Sequence, residues 1–138
     1  MDPGNSIKYR AGYKYQLAED TEKMTKIIGY SVKTQFIKLY VSGLMRIKSG
    51  YAWDGPSGIA FDTPDFMRGS LYHDAGYELL RKELLPQSER PIIDSLLMEI
   101  CLEDGMPEFR ADYVFHGVST FGGKYADPGN KKKILIAP

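Results

Sequence analysis

The chain has 138 residues, 18 basic and 18 acidic side chains, 43% hydrophobic residues and 12% aromatic ones. That is the length of one ordinary domain with enough apolar residues to bury a core, which excludes a disordered chain. A formal charge of zero excludes the one-sided basic field of a nucleic-acid binder, and the short run Lys131-Lys132-Lys133 reads as a solvated tail.

Residues 9–17 carry Tyr9, Tyr13, Tyr15 and Leu17 at alternate positions, the period of a strand. Further short strands are expected over 27–30, 35–41 and 44–47, where β-branched and aromatic residues gather. Between the last two, Val41-Ser42-Gly43-Leu44 reads as a tight hairpin turn, because Gly43 takes a positive φ cheaply. Together these predict a small antiparallel sheet. The loop that follows, Tyr51-Ala52-Trp53-Asp54-Gly55-Pro56-Ser57-Gly58, has an irregular backbone imposed by its glycines and proline. Such a loop presents carbonyl oxygens to a hard cation or N–H groups to an oxyanion, or else serves as a structural turn. Trp53 within it reads equally as a ligand platform or as a packing anchor.

From Asp62 the pattern becomes helical. Thr63 is placed to cap a helix that begins at Pro64, runs over 64–85 and stops before Pro86. Ser88 is expected to cap a second helix, with Pro91 in its first turn and Gly105 closing it. Pro107 opens a third helix that ends at Gly122-Gly123. The turn over 127–130 then leads into the apolar stretch 134–136, a candidate edge strand. The fold class is α+β: a small N-terminal antiparallel sheet, then about three helices, two of them an antiparallel pair. We read a single domain over 1–138, in which residues 1–50 are β-rich, residues 51–123 form the loop and the helices, and residues 124–138 form a tail.

The candidate chemistry lies between the loop and the second helix. His73 and Tyr77 are four apart and share a helix face, while Asp74 projects about 100° away from His73. Gly69 and Gly76 lie near that face and allow a partner helix to approach closely. Asp94 is a carboxylate inside the apolar run 92–97 of the second helix, at the edge of the buried seam. The short link 86–88 makes the two helices antiparallel neighbours, though the expected depths of His73 and Asp94 differ by roughly 9 Å. If the two meet, Asp94 fixes one imidazole tautomer and stabilises the protonated ring, leaving the other nitrogen to take a proton from water. A core histidine satisfied by hydrogen bonds explains the same residues without chemistry. Arg68 and Arg90, each near a helix start, either clamp an anionic substrate or pair with Asp65, Glu89 or Asp94.

Other chemistries find little support. Cys101 is the only cysteine, so there is no intramolecular disulfide, and Cys101, His73 and His116 lack the paired spacing of a zinc site. There is no histidine upstream of His73 for a metal-dependent phosphohydrolase of the His…His-Asp…Asp type, and no Gly-x-Ser-x-Gly elbow or Walker loop. The start of the chain lacks the basic and apolar regions of a signal peptide, and no apolar run approaches the roughly 18 residues of a membrane helix.

Three segments carry a resemblance: Asp54-Gly55-Pro56-Ser57, His73-Asp74-Ala75-Gly76-Tyr77 and Arg90-Pro91-Ile92-Ile93-Asp94. In this combination, over roughly 47–123, the chain resembles a phage- and prophage-associated domain-of-unknown-function family, number thirteen fifty-three. That resemblance implies a phage origin, with phage structural proteins as partners and a place in the host cytoplasm during assembly or in the virion. More distantly, the chain is similar to the compact bacterial and parvoviral forms of phospholipase A2, which set a glycine-rich calcium loop ahead of His-Asp-x-x-Tyr and a second Asp on an antiparallel helix. The similarity implies a lipid or other ester as substrate and calcium as cofactor. It implies His73 as general base, Asp94 as its orienter and Tyr77 as a brace for Asp94. Asp74 would ligate calcium together with the loop at Gly55, Ser57 and Gly58, while Asp54 and Trp53 border it. Ser57 stands where that loop usually has glycine, and Asp54 is an added charge. Phe66, Met67, Leu71 and Tyr72 either line an acyl channel or pack the core. The alternative is a non-catalytic tail, baseplate or morphogenesis protein in which the His-Asp cluster holds loop to helices.

Overall fold

The structure is a computed structural model that describes residues 6–10, 15–54, 63–130 and 135–138. It has an α+β architecture: two small antiparallel sheets, mainly N-terminal, precede the helices. Strand β2 (Tyr15–Leu17) lies between β1 (Tyr9–Arg10) and β7 (Ala52–Trp53). The expected single strand over 9–17 is therefore two strands paired antiparallel, with Tyr9 opposite Leu17. Both members of an antiparallel pair preserve a period of two, so the alternation alone did not reveal the reversal, and Tyr13 lies outside the described residues.

The second sheet has the order β3 (Thr21–Met24), β6 (Leu44–Ile47), β5 (Ile37–Leu39), β4 (Val32–Lys33). Its alternation turns Ile37, Leu39, Met45 and Ile47 inward, each at most 1% exposed. Each such side chain contributes about 1.5–3 kcal/mol through removal from water. The turn after β5 forms as expected, with Gly43 at φ +98°. Residues 27–30, expected as a strand, are not one: the Thr25 hydroxyl oxygen accepts the Ile27 N–H at 3.1 Å, and Gly29 turns the chain with φ +95°. Strands β3, β4 and β7 were not expected, because each is too short or too polar to show a period of its own.

Helix α1 (Pro64–Arg81) is the centre of the molecule, buried along nearly its whole length from Phe66 to Leu80. Thr63 precedes it in extended conformation with Pro64 first, but the Thr63 hydroxyl bonds the Asp65 carboxylate rather than capping the helix. The helix ends at Arg81, short of the expected 85, because Glu83 takes φ 59° and the Leu84 and Leu85 N–H groups turn back to the Leu79 carbonyl. Helix α2 (Arg90–Glu103) starts behind a 3-10 turn at Gln87–Glu89 rather than on a Ser88 cap. It ends at Gly105 as expected, which has φ +94°. Helix α3 (Glu108–Phe121) follows Pro107, and a short α4 (Gly123–Ala126) continues past the expected glycine stop. Leu135 and Ile136 are exposed and not in a strand, which corrects the expected edge strand over its described residues.

Strands and helices share one core in which Leu17, Ile37, Ile47 and Trp53 meet Leu71, Leu80 and Ile93. A second cluster, including Phe66, Leu97, Cys101 and Val114, joins α1, α2 and α3. Polar ties reinforce the first: Thr21 Oγ1 lies 3.1 Å from the Tyr72 hydroxyl, and Tyr30 donates to Glu89 at 2.9 Å. No described helix is long and apolar enough to cross a membrane.

Candidate functional site

The α1–α2 seam is close because α1 offers glycines to it. A Cβ on Gly76 would stand 2.8 Å from Ile93 Cγ2, and one on Gly69 would stand 2.9 Å from Leu97 Cδ1. His73 lies between those two glycines, on the part of α1 that they bring against α2. The earlier end of α1 reduces the expected mismatch in depth, by more than the later start of α2 adds to it. His73 Nε2 comes to 2.8 Å from Asp94 Oδ1, and the Tyr77 hydroxyl donates to the same oxygen at 2.7 Å. The His73 and Tyr77 rings pack 4.2 Å apart, centroid to centroid.

This cluster is nearly closed to water: His73 is 8% exposed, Tyr77 3% and Asp94 2%. With Nε2–H given to Asp94, a neutral imidazole carries its lone pair on Nδ1, the nitrogen on the far side of the ring. Burial pushes the Tyr77 hydroxyl well above its ordinary range and the bond to Asp94 adds to this, while the nearby Arg90 guanidinium opposes it. Tyr77 therefore stays a proton donor to Asp94 at every physiological pH. Two further residues support it: Gly122, which carried no signal in the sequence, and Arg90, which makes no ion pair with the expected Asp65, Glu89 or Asp94 among the described residues and reaches the Ser119 carbonyl instead. Gly122 leaves the space for the Tyr77 hydroxyl, since a Cβ there would run into it. Arg90 points its guanidinium to the α3–α4 junction: a Cβ on Gly123 would stand 3.0 Å from Nη1, a buried nitrogen with no hydrogen-bond partner among the described residues.

Asp74 is half-buried on the neighbouring face of α1. Burial raises its carboxyl to about 6, with Asp54 adding to the rise, while His73, Arg81 and a hydrogen bond from the Asp54 main chain act downward. Tyr51, buried beside this group, is pushed upward by burial and by the negative charges of Glu78, Asp74 and Asp54. Asp54 and Asp74 are thus neighbours across the loop–helix junction. Among the described residues no cluster of three or more His, Cys, Asp or Glu is arranged to hold a metal ion. The expected calcium-loop positions Gly55, Ser57 and Gly58 lie outside the described residues.

Other candidates separate from the site. Trp53 is 2% exposed, its indole N–H donates to Ser70 Oγ at 3.0 Å, and it packs against the Tyr9 and Tyr15 rings. It is the packing anchor of the two readings. Arg68 is buried and grips Asp104 with two bonds, Nε at 3.0 Å and Nη2 at 2.9 Å, and Glu103 at 2.8 Å. Its partners are neither a substrate anion nor the expected Asp65, Glu89 or Asp94, because its long side chain reaches the far end of α2. Burial raises the Glu103 carboxyl, yet Lys23 and Arg68 together outweigh that and hold it below the usual range. Phe66, Met67, Leu71 and Tyr72 are all buried in the two core clusters rather than lining an open channel. His116 is exposed on α3 while Cys101 is fully buried, so they form no metal pair. Compared with protein-family models, with curated proteins and with solved structures, the chain matches none of them.

Proposed function

We propose that this chain is a phage hydrolase of the phospholipase A2 kind, cleaving a carboxylic ester such as a phospholipid with His73 as its general base. The observation that carries the reading is the shared acceptor: Asp94 Oδ1 holds His73 Nε2 at 2.8 Å and the Tyr77 hydroxyl at 2.7 Å. In this reading Nδ1 takes a proton from the attacking water, and the buried Asp94 charge stabilises the imidazolium that results. Tyr77 keeps Asp94 from rotating away, with the positive Arg90 guanidinium close to its hydroxyl. Asp74, beside Asp54 and poised near pH 6, is the side chain that would ligate calcium, with the loop at 55–58 completing the set. A bound calcium ion would supply polarisation of the ester carbonyl.

The test is hydrolysis of a phospholipid in mixed micelles by the purified chain, with calcium and with chelator. We expect activity that needs calcium and falls about 100-fold or more in His73→Ala. Absence of hydrolysis, or hydrolysis that survives His73→Ala, overturns the proposal. The near-complete burial of the cluster supports a second reading, a non-catalytic virion or morphogenesis protein in which His73, Tyr77 and Asp94 pin α1 to α2. Mass spectrometry that finds the chain stoichiometric in purified particles, together with no hydrolysis, selects that reading.

A further inference from the structure

The outer face of the four-stranded sheet carries a line of charge that the hydrolytic reading does not use. Register sets Glu22 of β3 opposite Arg46 of β6, Arg46 opposite Lys38 of β5, and Lys38 opposite Lys33 of β4. Since Ile37, Leu39, Met45 and Ile47 face the core, Lys38 and Arg46 project from the other side. Like charges directly opposed across strands weaken pairing, yet this row sets three cations side by side.

The surroundings relieve the row only at one end. Asp20 approaches Arg46 no closer than 3.7 Å, and its other oxygen already accepts the Ser49 N–H at 2.8 Å. Lys33, Lys38 and Lys48 make no ion pair among the described residues, and Lys38 Nζ instead sits 5.1 Å from the Tyr40 ring centroid. These side chains and Thr34 surround an open depression of about 260 Å³. Thr34 Oγ1 accepts the Ile37 N–H at 3.0 Å, which leaves its hydroxyl proton to donate outward.

We propose that this depression binds a small phosphate-bearing anion, clamped by Lys33, Lys38, Arg46 and Lys48. Such an occupant supplies the negative charge the row lacks, and Arg46 offers a planar fork suited to two phosphate oxygens. The volume lies below the roughly 300–1,000 Å³ of drug-sized pockets, which suits a diphosphate or a compact phosphate monoester. Asp20 also lines the depression, its carboxylate 3.7 Å from Arg46, and among the described lining residues is the one acidic side chain, outnumbered by the four cations there. The site is independent of His73 and stands or falls separately from the hydrolytic reading.

The test is calorimetric titration of the full chain with inorganic pyrophosphate and with glycerol phosphate, at ionic strength held constant with sodium chloride. We expect one saturable site, and affinity at least about tenfold weaker in Lys38→Gln and in Arg46→Gln, the loss of one charge-assisted hydrogen bond. Pyrophosphate binding more tightly identifies a free polyphosphate as the source, and equal binding identifies a monoester headgroup. Lys38→Gln is also expected to melt higher than the unmodified protein without anion, so its weaker binding is not a folding defect. Lys8→Gln, on a lysine paired with Glu19, should bind as the unmodified chain does. Absence of saturable binding at millimolar anion, or unchanged affinity in Lys38→Gln, overturns the proposal.

Discussion

Asp74→Asn separates the electrostatics of the loop–helix junction from its shape. The substitution keeps the volume and the oxygen that accepts the Asp54 main-chain N–H, and removes the charge. Burial and Asp54 raise the Asp74 carboxyl from its ordinary 3.8 to about 6. A carboxyl whose folded pKa exceeds its unfolded one favours the folded state while protonated. Between about pH 4 and pH 6 the unfolded chain ionises it and the folded chain does not, so stability falls with rising pH through that window and levels off above it. The full shift corresponds to about 3 kcal/mol. Asp74 is half-buried, so water screens part of this and about 1–2 kcal/mol is expected. Urea unfolding in chelator should therefore find Asp74→Asn more stable than the unmodified chain by that amount at pH 7.5, and equal to it near pH 4. A variant that is less stable at pH 7.5, or a difference that does not change with pH, refutes the electrostatic account. Adding millimolar calcium at pH 7.5 should raise only the unmodified chain, by about 2.7 kcal/mol at one hundred times the dissociation constant. If calcium moves neither curve, the calcium proposal fails while the pH result stands.

Removing the shared acceptor should be costly: Asp94→Ala strands the His73 and Tyr77 donors in a dry seam and is expected to lose about 3 kcal/mol or more in urea unfolding. Asp94→Asn retains the volume but not the charge, and in the hydrolase assay should reduce turnover by about 100-fold or more at normal substrate binding. Gly76→Ala drives a methyl against Ile93 and should cost about 1–3 kcal/mol, with partial rescue when combined with Ile93→Ala. The Cys101 thiol, fully buried and pushed up to about 12 by that burial, should resist a thiol reagent at pH 8 in the native protein and react at once in denaturant.

Much of the helical half was legible because its signals are local. Pro64, Pro107 and Gly105 mark helix ends through their own backbone preferences, and Gly43 marks its turn in the same way. The spacing of His73 and Tyr77 put them on one face, and the observed ring packing follows from the helix repeat alone. Asp94 drew notice as a carboxylate within an apolar run. Residues that act at a distance gave no such signal. The partners of Arg68 sit at the far end of α2, and Gly122 matters only because Tyr77 reaches it.

Propensity and period within a few residues are enough to yield the α+β class, the approximate helices and the side chains that share a face. Contacts between distant parts of the chain set Tyr9–Arg10 antiparallel to Tyr15–Leu17, make strands of Thr21–Met24, Val32–Lys33 and Ala52–Trp53, and stop α1 at Arg81. Strand formation and helix termination there depend on hydrogen bonds and contacts from distant residues, which no local window contains. The meeting of His73 with Asp94 is of the same kind. Each residue was visible in the chain, but their 2.8 Å separation follows from two glycines that let α1 and α2 come together.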